Sequence, residues 1–244
     1  MTFKKVYIKP RTGGRQLLIG DIHGCSLTLK KLIDKLELLK SDQLIILGDL
    51  INKGPDSLGV VDYIISLISN GFEIIIVRGN NESMLLKILK KNEMQIERLA
   101  IRFGITKMFK KSKWVLKTKY LEFFKSSVFY VESDQFYAVH AGFDYSAPDP
   151  FNDTFQMLWM RNFKADKEIQ DFKPVIYGHR IYPFTKIKKA VQKHKYGIPL
   201  DNGCVLGNED PDFGRLVCFD FTNNTLITQE NIEGEVGIDS KIVY

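Results

Sequence analysis

The chain is 244 residues long, 44% hydrophobic and 26% charged, which excludes a disordered or low-complexity protein and allows one full core. Its net charge of +6 mildly favours anionic partners such as phosphates, and no apolar stretch approaches the ~20 residues that a membrane span needs. The N-terminal MTFKKVYIKPRTGGR lacks the apolar core of a signal peptide, and Cys25, Cys204 and Cys218 are odd in number, far apart and without CxxC spacing, so a reducing, cytoplasmic setting without a disulfide framework is the expectation.

In chain order, residues 1–16 read as a basic lead-in with a turn at Gly13-Gly14, and residues 17–20 as a first strand. Ser26 is placed to N-cap a helix whose apolar face is Leu29, Leu32, Ile33, Leu36 and Leu39. Residues 44–47 form an apolar run that stops at Gly48. Pro55 then opens a helix to about residue 68, with Asp56 and Ser57 in its first turn, closed by Asn70-Gly71. Residues 73–77 are a third strand. This alternation implies parallel strands joined by crossovers. A helix follows over about 82–91.

Residues 92–125 read as a helical cap insertion carrying Phe103, Phe109, Trp114, Phe123 and Phe124 among lysines. No Pro/Gly/Ser linker flanks it, so the expectation is one domain over 1–244. Residues 128–131 and 135–139 suggest a hairpin, 155–161 a short helix and 174–177 a strand. Four short β candidates follow at 189–192, 198–200, 216–220 and 226–228.

Polar residues gather just past the apolar runs: Asp21 and His23, Asp49, Asn80, His140 and His179, including three of the four histidines. A carboxylate beyond a strand's C-terminal end is where open α/β sheets build ligand sites. Carboxylate, imidazole and amide oxygen together suit divalent Mn, Fe or Zn and not a thiolate-selective site. Six ligands exceed the needs of one four-coordinate ion and suit two, with Asp49 bridging. Two metals about 3.5–4 Å apart can generate a nucleophile and clamp a phosphoryl group. A lone Asp-x-His is more often a turn or a satisfied polar pair; five ordered strand-end motifs are not expected by chance.

GDIHG at 20–24, GDLINKGPDS at 48–57, RGNNE at 78–82, HAG at 140–142 and GHR at 178–180 resemble the phosphoprotein-phosphatase branch of the calcineurin-like metallophosphoesterases, over roughly residues 16–220. The resemblance implies an α/β fold with a central β-sandwich flanked by helices (α/β/β/α). It also implies hydrolysis of phosphate esters by a metal-bridging hydroxide. Asp21, His23 and Asp49 would hold one metal, and Asp49, Asn80, His140 and His179 the other, with Mn²⁺ expected and Fe or Zn compatible.

The sequence departs from that family at its proton donor. Where the family carries V-D-R-G after the bridging Asp, this chain has Ile51-Asn52-Lys53-Gly54. Where the family carries Gly-Asn-His-Glu, it has Gly79-Asn80-Asn81-Glu82. The family's His is its general acid, oriented by the Asp of V-D-R-G, so Asn81 and Asn52 replace both members of the pair. An amide donates a hydrogen bond but cannot deliver a proton, and general acid help is typically worth about 10²–10⁴ in rate. Three consequences stand open: a slow phosphatase with a divergent donor, an enzyme narrowed to good leaving groups, or a metal-bound protein that binds phosphorylated ligands with little turnover.

Lys53 stands where the family has a phosphate-binding Arg, keeping the charge without the bidentate fork. Arg161, after Leu158-Trp159, resembles the second phosphate-binding Arg, against the plainer reading of a surface Arg. Arg180 replaces a Thr and could reach the same anion or pair with a carboxylate. Cys25 reads as buried filler, His194 as exposed, and Asp201-Asn202-Gly203-Cys204 as a structural turn near the site. The lysines at 107, 110, 111, 113, 117 and 119, with Trp114 and Tyr120, and those at 186, 188, 189, 193 and 195 read as solvated helix faces, so nucleic acid is not an expected partner. The expectation is a metal-dependent phosphatase of serine/threonine protein-phosphatase type acting on a phosphorylated substrate. The alternatives are a symmetrical dinucleoside-tetraphosphate hydrolase and a phosphate-binding protein.

Overall fold

The computed structural model describes residues 5–110, 113–207 and 210–234. Among these residues, ten strands form two sheets. One sheet is built from β2 (Gln16–Ile19), β3 (Gln43–Ile46), β4 (Glu73–Ile76), β9 (Arg215–Asp220) and β10 (Thr225–Glu230). Its order is β10-β9-β2-β3-β4, with β2, β3 and β4 parallel and β9 antiparallel to its neighbours. The other contains β1 (Lys5–Ile8), β5 (Tyr130–Ser133), β6 (Tyr137–Val139), β7 (Val175–Tyr177) and β8 (Gly197–Pro199), in the order β1-β5-β6-β7-β8. Within it, β5 and β6 are the one antiparallel pair.

The two-residue period of the central strands divides the apolar side chains between two cores. Leu18, Ile45, Val217 and Phe219 join Val131, Ala138, Val175 and Ile198 between the sheets. Leu17, Ile19, Leu44, Ile46, Leu216 and Cys218 point the other way, onto helices. These helices are α1 (Ser26–Leu36), α2 (Ser57–Ser69) and α3 (Asn80–Ile88), whose apolar stripes supply Leu29, Leu32, Val60, Val61, Ile64 and Leu85 to that core. Strands buried on both faces read as continuous apolar runs, as residues 44–47 do. Further helices α6 (Thr154–Trp159) and α7 (Phe184–Gln192) accompany the other sheet, giving two packed mixed sheets with flanking helices.

The segment after α3 is helical at α4 (Glu93–Arg102), at a 3₁₀ turn over Thr106–Met108 and at α5 (Thr118–Ser126). Its Ile96, Ala100, Phe103, Met108, Tyr120 and Phe124 belong to the same core as Ile64 and Leu85, so it extends the helical layer on the sheet of β2, β3 and β4. Its exit stitches the sheets together: Val128 bridges Val77, and the Arg78 N–H donates to the Val128 carbonyl at 2.7 Å.

Several local expectations need correction. The lead-in contains β1, an edge strand of charged and apolar residues too short and mixed to read as one. Residues 189–192 belong to α7 and not to a strand: Ile187, Ala190 and Val191 recur at helical spacing, which a window of four residues cannot display. Ser26 lies inside α1, and its hydroxyl donates to Asp56 Oδ2 at 2.7 Å. Asp56, not Pro55, starts α2, accepting the Gly59 N–H at 2.8 Å. Helix α6 ends at Trp159, leaving Arg161 in the exposed loop beyond it.

Candidate metal centre

The fold brings the C-terminal ends of β2, β3 and β4 against those of β6 and β7, and these five ends carry the six expected ligands. Asp21, His23, Asp49, Asn80 and His140 are buried, and His179 is partly exposed. Their donor atoms fall into two groups that share Asp49: Asp21, His23 and Asp49, and Asp49, His140 and His179.

The imidazole of His140 is fixed from behind. Its Nδ1–H donates to the Leu47 carbonyl at 2.7 Å, which turns the lone pair of Nε2 into the site. That Nε2 lies 3.0 Å from Asn80 Oδ1 and 3.1 Å from His179 Nδ1, and those two are 3.1 Å apart. Asp49 Oδ1 is 3.7 Å from the same Nε2. On the other side, His23 Nε2 is 3.6 Å from Asp49 Oδ2 and 3.9 Å from Asp21 Oδ2. Apart from the Lys53 ammonium, 3.0 Å from His23 Nε2, these converging acceptor atoms lack protons to satisfy one another, and a cation at each point would satisfy them.

Backbone amides hold the carboxylates. The His179 N–H donates to both oxygens of Asp21 at 3.1 Å, and the Asn81 N–H to Asp49 Oδ1 at 3.0 Å. Glu82 accepts the N–H groups of Asp49, Leu50 and Gly79, each at 2.9 Å, and so clamps the loops after β3 and β4. Gly178 is a glycine for a reason of space: a Cβ there would overlap the Asp21 carboxylate. The backbone is also strained. His23, Asp49, Asn52, Lys53 and His179 have φ of 49°, 46°, 78°, 73° and 66°, five of the ten non-glycine residues with positive φ among those described. Such conformations concentrate at functional sites.

The electrostatics fit cations as well. Burial, with Asp201 and Asp49 nearby, holds the Asp21 carboxyl well above the usual range. Burial pushes Asp49 up to about 7, Asp201 up to about 6, and Glu82, which also faces Asp49, up to about 8. Burial likewise keeps the imidazoles neutral, lowering His23 well below its ordinary value, His140 to about 4 and His179 to about 3. Neutral imidazoles beside crowded carboxyls form a ligand set suited to divalent cations.

The remaining expected residues surround this centre. Asn52 Nδ2 donates to Asn81 Oδ1 at 3.1 Å, so the two amides that replace the family's acid pair touch each other. The Lys53 ammonium is 3.0 Å from His23 Nε2. Arg161 is exposed, with its charge felt at His179. Among the described residues, Arg180 pairs with no carboxylate: its Nη1 donates to the Arg161 carbonyl at 2.9 Å and to Asn162 Oδ1 at 2.8 Å. Cys25 is fully buried and His194 exposed, as read from the sequence. Among the lysines of the inserted segment, Lys119 pairs with Asp62 and Lys117 donates to the Lys107 carbonyl; Lys111 lies outside the described residues.

Sequence reasoning assigned no role to Glu82 or to Asp201 within this electrostatic cluster. A carboxylate in the first turn of α3 was the available signal for Glu82. For Asp201, only its turn motif stood out, and its proximity to Asp21 comes from the fold.

A two-sheet sandwich with a twin His/Asp ligand set at its strand ends defines a metallophosphoesterase. The family model for calcineurin-like phosphoesterases matches residues 14–195, and the chain belongs to that family. Among curated proteins, it is 45% identical over 75 residues to the symmetrical bis(5'-nucleosyl)-tetraphosphatase of Wigglesworthia glossinidia brevipalpis, covering 30% of this chain and 26% of that protein. It is 44% identical over 79 residues to the protein of the same name from Hamiltonella defensa, covering 31% of this chain and 28% of that one. The matches thus span about a quarter of those relatives. Among solved structures, a provisionally assigned diadenosine tetraphosphatase superposes with a TM-score of 0.68 at 26% identity, covering 96% of this chain and all of that one. A protein serine/threonine phosphatase from Saccharomyces cerevisiae shares the fold, with a TM-score of 0.60 at 14% identity over 95% of this chain and 85% of that one. Among the described residues, no helix is long and apolar enough to cross a membrane.

Proposed function

We propose that the chain hydrolyses phosphoanhydride bonds in nucleotide polyphosphates, with dinucleoside tetraphosphates as the leading substrate class. The observation that carries this reading is the Asn52–Asn81 amide pair at 3.1 Å, placed beside an otherwise complete ligand set. A serine or threonine alkoxide is a strong base and needs a proton as it leaves. A nucleoside diphosphate is a weak base and departs as an anion. A site with amides in place of the acid pair therefore suits anhydrides better than alkyl esters. The local matches to symmetrical tetraphosphatases support the same side, so support passes from the protein-phosphatase expectation to its alternative.

Two divalent cations held by Asp21, His23 and Asp49 and by Asp49, Asn80, His140 and His179 would supply an activated water and offset charge on the phosphoryl oxygens. The protein's own groups do the rest. Lys53, beside His23, and Arg161, whose charge reaches His179, offer positive charge to the substrate. The Asn52 amide, through Asn81, orients a neutral hydrogen-bonding group where an acid would otherwise stand. Glu82 holds the Asp49 loop against the Gly79 loop, so both ligand groups keep their spacing.

The test is product analysis with Mn²⁺ present. The expected outcome is metal-dependent cleavage of a dinucleoside tetraphosphate to nucleoside phosphates, faster than release of phosphate from a phosphoserine peptide. Faster release from the peptide would return the assignment to a protein phosphatase.

A further inference from the structure

Beside the second ligand group lies a set of cations that no acid among the described residues pairs with. Arg180 follows His179 directly, and its guanidinium carbon sits 5.5 Å from the ring centroid of Tyr182. Lys186, from the first turn of α7, places its ammonium 4.0 Å from the same centroid. Arg161 borders this pair, since its carbonyl accepts from Arg180 and its charge is felt at His179. None of the ion pairs among the described residues includes Arg161, Arg180 or Lys186. The acid at the start of α7, Asp212, is engaged by the N–H and hydroxyl of Thr185 at 2.9 and 2.7 Å.

The platform is rigid. Tyr182 is buried, its N–H donates to the Asp201 carbonyl at 2.9 Å, and its own carbonyl accepts from Asn202 Nδ2 at 2.9 Å. Two cations drawn to one aromatic ring gather positive charge at this rim, and an anion bound there offsets it. All three side chains are exposed and so open to a ligand.

The single phosphoryl of a monoester places its charge at the metal ligands and has no further charge to offer this rim. An oligophosphate chain carries more phosphoryl groups past His179. We infer that Arg180 and Lys186, gathered on Tyr182 beside Arg161, form a subsite for the phosphoryl groups of a polyphosphate chain beyond the one being attacked. This rests on reading the neighbouring centre as a dinuclear phosphoesterase site. It deepens that reading, because the rim selects oligophosphates over monoesters by charge and length.

The experiment is calorimetric binding of inorganic tripolyphosphate and of orthophosphate to the full chain in excess Mn²⁺. It compares the wild type, Arg180→Ala, Lys186→Ala, the double variant and Lys186→Glu. Exposed charge contacts are worth roughly a two- to fivefold change each. The double variant is expected to weaken tripolyphosphate about five- to tenfold and orthophosphate less than twofold, with Lys186→Glu weakening tripolyphosphate more than Lys186→Ala. Added salt should erode the preference for tripolyphosphate in the wild type more than in the double variant. An unchanged preference in the double variant overturns the inference. So does an equal loss for tripolyphosphate and orthophosphate, which would make the rim an unselective anion-binding surface. A dinucleoside tetraphosphate that binds through the rim and is not hydrolysed would count against the proposed activity and leave the subsite standing.

Discussion

His179 and Arg180 are neighbours in the chain, yet they belong to regions held in different ways. Each ligand carboxylate at the metal centre accepts a backbone N–H, and the His140 ring is fixed by a main-chain carbonyl. The rim at Arg161, Arg180 and Lys186 is exposed and held by ring contacts and by two loop oxygens, the Arg161 carbonyl and Asn162 Oδ1. Chemistry on a phosphoryl group needs ligands fixed to fractions of an ångström, and backbone hydrogen bonds provide that. Choice among substrates needs charge at the right distance on side chains that adjust. The contrast predicts large, all-or-none effects in the centre and small, salt-sensitive ones at the rim.

The largest effect is expected at the shared ligand. Asp49→Asn removes a charge from both ligand groups and should abolish metal-dependent turnover, by about a thousandfold or more, in line with the several kcal/mol a metal ion contributes. Metal analysis of the same variant should show reduced stoichiometry. Near-normal turnover would break the link between Asp49 and the two groups.

A second prediction concerns the clamp. Glu82→Gln sets an amide NH₂ among three buried N–H donors from Asp49, Leu50 and Gly79. Leaving buried donors unpaired should lower unfolding stability by about 1–3 kcal/mol, measured by urea titration of the metal-free protein above about pH 8, where Glu82 is ionised. Equivalent exposed changes at the rim, such as Lys186→Ala, should fall within about 0.5 kcal/mol. Equal costs in the two places would erase the distinction.

A third prediction uses pH. In the fold, Asp201, Asp49 and Glu82 titrate at about 6, 7 and 8, raised by burial above their ordinary values. A raised carboxyl favours the fold while protonated, so its contribution is full at low pH and is lost as pH rises through those values. The buried histidines act in the opposite sense, losing stability as pH falls from about 6.5 toward about 4 and 3, and they change nothing above that range. Between pH 6.5 and 8 the carboxyls act alone. The melting temperature of protein kept in chelator should therefore fall across this window, and the stabilisation by Mn²⁺ should be larger at pH 8 than at 6.5. A flat profile would mean that burial does not raise these carboxyls as placed here.

The same contrast explains what the sequence disclosed. The ligands were legible because each follows an apolar run that ends in a sharp turn, a local pattern that Leu44–Leu47 and Gly48 display in full. The parallel order of β2, β3 and β4 followed from their alternation with helices. β1 was not legible, because its alternation of outward Lys5 and Tyr7 with inward Val6 and Ile8 spans only four residues of a basic edge segment. Helix α7 was lost because Lys186, Lys188 and Lys189 mask its apolar face in a short window. The rim depends on Tyr182 receiving two cations at once, and the Glu82 clamp on two loops meeting, and neither is a property of sequence spacing.

The central claim is that the Asn52–Asn81 pair makes catalysis depend on the leaving group. The most direct test is the Mn²⁺-dependent rate on a series of aryl phosphates of graded leaving-group basicity, for the wild type and for Asn52→Asp/Asn81→His. The wild-type rate should fall steeply as the leaving group becomes more basic. The double variant should flatten that dependence and gain about 10²-fold or more on the most basic members, the lower range of general acid catalysis. A shallow dependence in the wild type, unchanged in the double variant, would show that another group already delivers the proton and would contradict the account.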